Sequence, residues 1–303
     1  MNQFYFSKVK FELVAEEPML LPEVKTSMFR GGFGHVFKNF NCANRLSKDC
    51  TNCLLRETCI YTYIFADSNM AQRPKPYVIY SQDSTARFFK KGDHFSFELL
   101  LFGEATKYFP HFVFAFIELG KRGISKSRNK YIVHTVQDID GTVLFANNKL
   151  IAHPRIESSI LPAGDNIPDI KQVSLNFLTP LRLTNFGDLV TNPTFEMLIK
   201  AITRRFSSLC REYCGFSADI DYPFLLERAR KVNTVSNKLK WRDWSRYSSR
   251  QHSKMEFGGL VGDITFDGDI GIFFPYLRIG SIMHIGKNCV FGNGKYNILG
   301  EEL

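Results

Sequence analysis

The chain has 303 residues and a net charge of +9, with 39 Lys and Arg against 30 Asp and Glu. Apolar residues make up 44% and charged residues 23%, ordinary globular usage that excludes a disordered, collagenous or low-complexity protein. No run of about 18 uncharged apolar residues occurs, which excludes a transmembrane helix.

At roughly 150 residues per domain the length predicts two domains. The opening segment, MNQFYFSKVKFELVAEE, alternates charged and apolar side chains and shows no secretory signal. The expected home is the cytoplasm, where thiols stay reduced. Residues 3–15 alternate in the strand manner through Phe4, Phe6, Val9, Phe11 and Leu13. A helix is predicted over 22–40, a cysteine cluster fills 41–63, and strands follow at 76–80 and 94–102. The apolar stretch 106–119 reads as a buried helix ending at Gly120-Lys121-Arg122-Gly123. Strands are predicted at 131–138 and 142–145 around the turn Asp140-Gly141. A linker is placed at 151–168, where three prolines and a glycine fall among polar residues. The domains are therefore 1–150, with the cysteine insertion, and 169–303. The second opens with a strand at 171–179, then helices at 194–213 and 222–230. Strands fill much of 232–266, and a helix at 271–284 leads into a glycine-rich loop at 286–295 and a last strand.

The halves echo each other. YFPHFVFAFIELGKRGISKSRNKYIV starts at Tyr108, and FFPYLRIGSIMHIGKNCVFGNGKYNI starts at Phe273. Phe109-Pro110 and Lys130-Tyr131 recur as Phe274-Pro275 and Lys295-Tyr296, both 165 residues on. One fixed offset predicts duplicated α+β units.

Charge is concentrated. Lys121, Arg122, Lys126, Arg128 and Lys130 form one stripe without an acid. Nine basic residues between Arg228 and Glu256, against two acids, form a second. Such stripes on a near-neutral body predict a polyanion partner. The second interleaves Trp241, Trp244 and Tyr247, which offer stacking surfaces to unpaired bases, so RNA or another single-stranded nucleic acid is expected. In the final loop Gly286, Gly292 and Gly294 allow close backbone approach to a phosphate, while Lys287 and Lys295 add charge. The spacing is not that of a P-loop.

The segment WRDWSRYSSRQHSKMEFGGLVGDITF, the helix after it and HIGKNCVFGNGKY resemble the C-terminal half of the CRISPR repeat-processing endoribonucleases. These belong to the RAMP superfamily of tandem ferredoxin-like (RRM-like) RNA binders. The segment Phe29-Arg30-Gly31-Gly32-Phe33-Gly34-His35 and the cysteine cluster are similar to one branch of that family. The resemblance implies an α+β fold of two ferredoxin-like domains. It also implies binding of CRISPR repeat RNA and cleavage of precursor crRNA without a catalytic metal, leaving 2′,3′-cyclic phosphate and 5′-hydroxyl ends.

That chemistry needs a base for the 2′-hydroxyl, a positive group at the phosphorane-like transition state and an acid for the leaving 5′-oxygen. Histidine serves either proton role. His35 is the first candidate, because it ends a run rich in glycine and the family places its histidine on or just after the first helix. Lys38, one turn on, is its expected partner at the phosphate. His252 is the alternative; a phosphate or base contact is the simpler role for it. His284 is expected to touch RNA or backbone at a helix end, and His111 to pack. The expected RNA-binding set is Lys126, Arg128, Lys130, Lys240, Arg242, Arg246, Tyr247, Arg250, His252, Gly286, Lys287, Gly292, Gly294 and Lys295.

Cys42, Cys50, Cys53 and Cys59 give C-x7-C-x2-C-x5-C, a pattern suited to tetrahedral zinc, with an iron–sulfur cluster as the alternative. Four thiolates leave no open position for water, so the expected role is structural. Two other readings stand beside the nuclease. One is a non-catalytic subunit that holds guide RNA with other members of a CRISPR effector complex. The other is a zinc-containing nucleic-acid-binding regulator, which the absence of a C-x2-C…H-x3-H spacing and of a helix-turn-helix ranks last. No membrane partner is expected.

Overall fold

The computed structural model describes residues 3–44, 50–65, 73–81, 86–125, 127–159, 167–248 and 253–301. The chain divides at Ser158/Ser159 into two units, with Glu212–Cys214 assigned to the first. Among the described residues no helix is long and apolar enough to cross a membrane.

In the first unit the alternation at the N-terminus forms β1 (Phe4–Ala15). It is followed by α1 (Lys25–Asn41), α2 (Ile60–Phe65), β2 (Tyr77–Tyr80), β3 (His94–Phe102), α3 (Phe109–Arg122) and β4 (Tyr131–Asp138). The strand order is β2-β3-β1-β4, extended by β5 (Val143–Ala146) and β6 (Lys149–Leu150). These six strands pair antiparallel, and Phe11 sits opposite both Phe97 and Val136. Phe11, Leu13, Phe97 and Leu99 are buried, while Lys10 beside them is exposed, the pattern of a sheet covered on one face. The cover is aromatic. Phe33 of α1 stacks on Phe116 of α3 at 4.6 Å, and Phe29 meets Phe97 at 4.7 Å. Each such buried ring contributes about 1.5–3 kcal/mol of hydrophobic free energy.

The second unit runs β7 (Gln172–Leu181), α4 (Phe195–Leu209), α5 (Tyr222–Ala229), β8 (Asn233–Asn237), β9 (Lys240–Arg242), β10 (Ser245–Ser248), β11 (Ser253–Glu256), β12 (Gly259–Asp267), α6 (Phe274–Met283) and β13 (Tyr296–Ile298). The sheet order is β8-β12-β7-β13, again second, third, first and fourth. Local chemistry sets the helix starts. Thr194 caps α4 by accepting from the Met197 N–H, and Asp221 caps α5 by accepting from that of Phe224. α3 and α6 both carry proline in the first turn.

The order β-α-β-β-α-β with this sheet sequence, twice over, is a tandem ferredoxin-like fold. The repeat is visible in side chains. Tyr131 donates to the carbonyl of Phe116 at 2.9 Å, and Tyr296 to that of Leu277 at 2.6 Å. Gly120 and Gly280 make room for those rings: a Cβ on Gly120 would lie 3.0 Å from the Tyr131 ring, and one on Gly280 would lie 2.3 Å from the Tyr296 hydroxyl.

Several expected helices shift in their bounds, among them α3, which runs over Phe109–Arg122 rather than 106–119. α1 starts at Lys25 rather than at 22, because Met19–Leu20 pair with Phe88–Phe89 just before it. The helix expected over 194–213 ends at Leu209, and its last turn, Cys210–Cys214, widens into a π-turn closed by Gly215 at φ 76°.

Candidate functional site

The second unit joins its glycine loop and its basic segment at one end of the sheet. β10 and β11 pair as a separate two-stranded arm, continuing the line of β9 and β12. Between the two ladders lie Asp243-Trp244 on one strand and Phe257-Gly258 on the other. The Phe257 N–H donates to the Trp244 carbonyl at 3.0 Å across this gap. Trp244 stacks on Phe257 at 4.5 Å, and Phe291 of the loop meets Phe257 edge-on at 4.9 Å. Trp244 thus packs within the protein. Trp241 is at the surface, its indole N–H bonded to Asp243 Oδ1 at 2.5 Å.

The loop is closed on itself and on β7. Ile285 N–H donates to Gly294 O, Gly294 N–H to Pro180 O, and Lys287 N–H to Arg182 O at 2.8 Å. Thr179 donates to Gly292 O at 2.7 Å and accepts from the Lys295 N–H at 2.8 Å. Several amides expected to face a phosphate are therefore used internally. At Gly294, φ is 74° and a Cβ would lie 1.8 Å from the Ile285 carbonyl, so backbone closure itself requires glycine there. The Lys295 ammonium donates to Ser281 O and Arg205 Nε to Met283 O, so both cations cap the negative end of α6. Lys287 is exposed. His284 is buried at φ 60°, and its Nδ1–H points at Gly292 O (3.1 Å) and Asn293 O (3.2 Å). Burial, and then Lys295 and Arg205, hold its pKa well below the usual histidine value, with the two carbonyls opposing.

In the first unit His35 stands exposed on α1, with Nε2 accepting from Asn39 Nδ2 at 3.3 Å. Two of the three glycines before it, Gly32 and Gly34, serve the interior. A Cβ on Gly32 would lie 2.6 Å from Leu119 of α3, and one on Gly34 would lie 3.2 Å from the Phe65 ring. Lys38 is half-buried over the Tyr61 ring at 5.5 Å. Burial lowers the Lys38 pKa, but a hydrogen bond to Cys50 and the neighbouring thiols and phenol outweigh this and raise it. Its ammonium thus faces the cysteine segment.

Residues 4–156, half of the chain, match the family model AF_1859_N, an N-terminal domain, and the chain belongs to that family. Residues 175–296 match the model described as CRISPR-associated endoribonuclease Cas6. Over that segment the chain is similar to the Cas6 endoribonucleases. An uncharacterized protein of Archaeoglobus fulgidus is 24% identical to this chain over 297 residues, 92% of each. A Cas6 (TTHB231) product complex superposes with a TM-score of 0.59 at 15% identity, covering 99% of this chain and 100% of that one. Thermus thermophilus Cas6 (TTHB231) gives 0.53 at 13%, covering 98% and 99%. A partial Cas6-RT-Cas1–Cas2 complex gives 0.56 at 13%, covering 99% of this chain and 47% of that one. At these identities the likeness to solved structures is one of fold.

The basic stripes of the chain divide. Arg228 pairs with Asp269 at 3.2 Å, Arg230 with Glu196 at 2.9 Å and Lys231 with Glu227 at 3.3 Å. Arg122 pairs with Glu118 at 3.1 Å. Arg128, Lys130, Lys240 and Lys287 are exposed, and Arg242 is half-buried. Lys126, Arg250 and His252 lie outside the described residues, as do the side chains of Arg246 and Tyr247. Sequence reasoning missed Arg182, whose Nη1 donates to Gly258 O at 2.7 Å and whose own carbonyl holds Lys287. A lone arginine after an apolar strand gave no signal.

Cys42, Cys50, Cys53 and Cys59 are free and half-buried. Cys42 Sγ contacts Asn44 O at 3.3 Å, and the Asn44 amide reaches Cys53 Sγ at 3.9 Å. This donor set has the chemistry for a thiophilic ion. Among the described residues, however, no three Cys, His, Asp or Glu side chains gather within metal reach.

Proposed function

We propose that this chain binds CRISPR repeat RNA and cleaves precursor crRNA without a catalytic metal. The observation that carries the reading is the joined arm and glycine loop of the second unit, inside the segment that matches Cas6. Two solved structures of similar fold, both Cas6 product complexes, lend support. Exposed Arg128, Lys130, Lys240 and Lys287, together with the arm, take the phosphates.

In this reading the RNA 2′-oxygen attacks the adjacent phosphorus. His35 takes the 2′-proton at Nε2 once Asn39 releases it, or in its protonated form delivers a proton to the leaving 5′-oxygen. The products are a 2′,3′-cyclic phosphate and a 5′-hydroxyl. A general acid or base of this kind contributes about 10²–10⁴-fold. Lys38 serves the transition state only by turning from Cys50 towards the phosphate. That orientation favours the second reading, a subunit that holds guide RNA in an effector complex without cutting.

The deciding experiment incubates purified protein with its own repeat RNA in excess EDTA. Beside it runs RNA with single 2′-deoxy substitutions at each candidate scissile position. Cleavage abolished by one such substitution supports the nuclease. Tight binding without cleavage leaves the guide-holding role.

The four cysteines hold a structural zinc in this proposal, with an iron–sulfur cluster as the alternative. Their segment closes around the ion and so ties down the chain after α1. Metal analysis of purified protein is expected to give one zinc per chain, and Cys53→Ser is expected to lose it. Iron with acid-labile sulfide supports the alternative, and no stoichiometric metal refutes both.

A further inference from the structure

The arm leaves the sheet at a point where hinging would be easy. The β9/β12 ladder ends at Arg242 and Gly259, and the β10/β11 ladder begins at Ser245 and Glu256. A two-stranded ribbon has little stability of its own. By sequence, 240–256 carries Lys240, Arg242, Arg246, Arg250 and Lys254, more positive charge than the loop. Free to swing, those cations would have to be ordered anew for each RNA bound, and that ordering subtracts from affinity.

The junction is instead held from the glycine loop. Phe257 is fully buried between Trp244 and Phe291. Buried Asn293, also of the loop, donates from Nδ2 to the Phe257 carbonyl at 3.1 Å. Arg182 grips both partners, the arm through Gly258 O and the loop through the Lys287 N–H. Gly258 and Gly259 keep the approach close, since a Cβ on Gly259 would lie 2.5 Å from the Leu181 carbonyl.

We propose that Phe291, Asn293 and Arg182 clamp the base of the basic arm to the glycine loop, so that arm and loop grip one RNA as a single preorganised unit. These are positioning residues. The proposal rests on the RNA-binding reading for its purpose, while the clamp itself is testable without RNA.

The experiment uses the full chain as wild type, Phe291→Ala, Phe291→Tyr and Arg182→Ala. Amide hydrogen exchange without RNA is expected to show lost protection over 241–258 in Phe291→Ala and Arg182→Ala, and wild-type protection in Phe291→Tyr, which keeps the ring. Affinity for repeat RNA is then measured across a salt series. Each phosphate contact adds about 0.7–0.9 to the slope of log affinity against log salt, so loss of the arm's contacts lowers the slope by about 1–3. Phe291→Tyr restores it. A generally damaged protein would bind less at every salt with an unchanged slope. Wild-type protection and wild-type slope in both Phe291→Ala and Arg182→Ala overturn the clamp. Altered exchange with no RNA binding even by wild type keeps the clamp and overturns the RNA reading.

Discussion

His284 makes the stability of the second unit depend on pH, and the size of that dependence can be worked out. Its ring is 1% exposed, donates from Nδ1 to two loop carbonyls and faces Lys295 and Arg205. Burial, with the two cations, keeps it neutral in the fold far below the usual histidine range. The unfolded chain takes up a proton near pH 6.5 while the folded one does not. Stability from this group is therefore complete above pH 6.5 and is lost as pH falls, by about 1.4 kcal/mol per pH unit. Between pH 7 and pH 5 the loss is about 2 kcal/mol for a ring that stays neutral throughout. His284→Gln keeps an N–H donor, removes the titration and leaves the φ 60° backbone equally unfavourable at both pH values. Urea unfolding followed by tryptophan emission suits the test, because Trp241 and Trp244, the only tryptophans, both lie in the second unit. The variant should lose about 2 kcal/mol less than the parent between the two pH values. Equal losses would refute the argument.

Phe33→Ala should destabilise the first unit by about 3–5 kcal/mol, read by thermal unfolding, since its ring contacts Phe37, Phe65, Tyr77, Phe112 and Phe116. His35→Ala should leave stability within about 0.5 kcal/mol, because the ring is exposed, while lowering the single-turnover cleavage rate about 10²-fold or more. Lys287→Ala should lower the salt slope of RNA affinity by about one, whereas Arg230→Ala, already paired with Glu196, should leave it unchanged. Gly294→Ala should open the loop, seen as lost protection of the Ile285 and Gly294 amides in hydrogen exchange, because its Cβ has no room beside Ile285 O.

The elements were legible where local pattern and core demand agreed. The β1 alternation, the Phe-Pro helix starts and the offset of 165 residues all reappear as structure, down to Tyr131 and Tyr296 bonding the helix above them. Harder to read was any residue with two physical uses. The glycines before His35 suggested an approaching ligand, but Leu119 and Phe65 occupy the space beside Gly32 and Gly34. Trp244 suggested a stacking platform, but Phe257 covers a face of it. Lys295 suggested a phosphate contact, but the carbonyl end of α6 takes its ammonium. Each competing partner comes from a segment distant in the chain, and composition and spacing carry no information about distant partners. Arg182 was invisible for the same reason.

The strand order has a consequence for synthesis. In each unit the first strand made is central, flanked by the third and the fourth. β1 therefore leaves the ribosome with both edges open. One edge waits for β3, and the other until Tyr131–Asp138 is made. β7 waits likewise for Gly259–Asp267 and for Tyr296–Ile298. Each of these two strands thus stays an unpaired template while the rest of its unit is made, the condition that favours mispairing between identical nascent chains. Lys8 and Lys10 on β1 lie on its polar face, where charge discourages such pairing before the proper neighbours arrive.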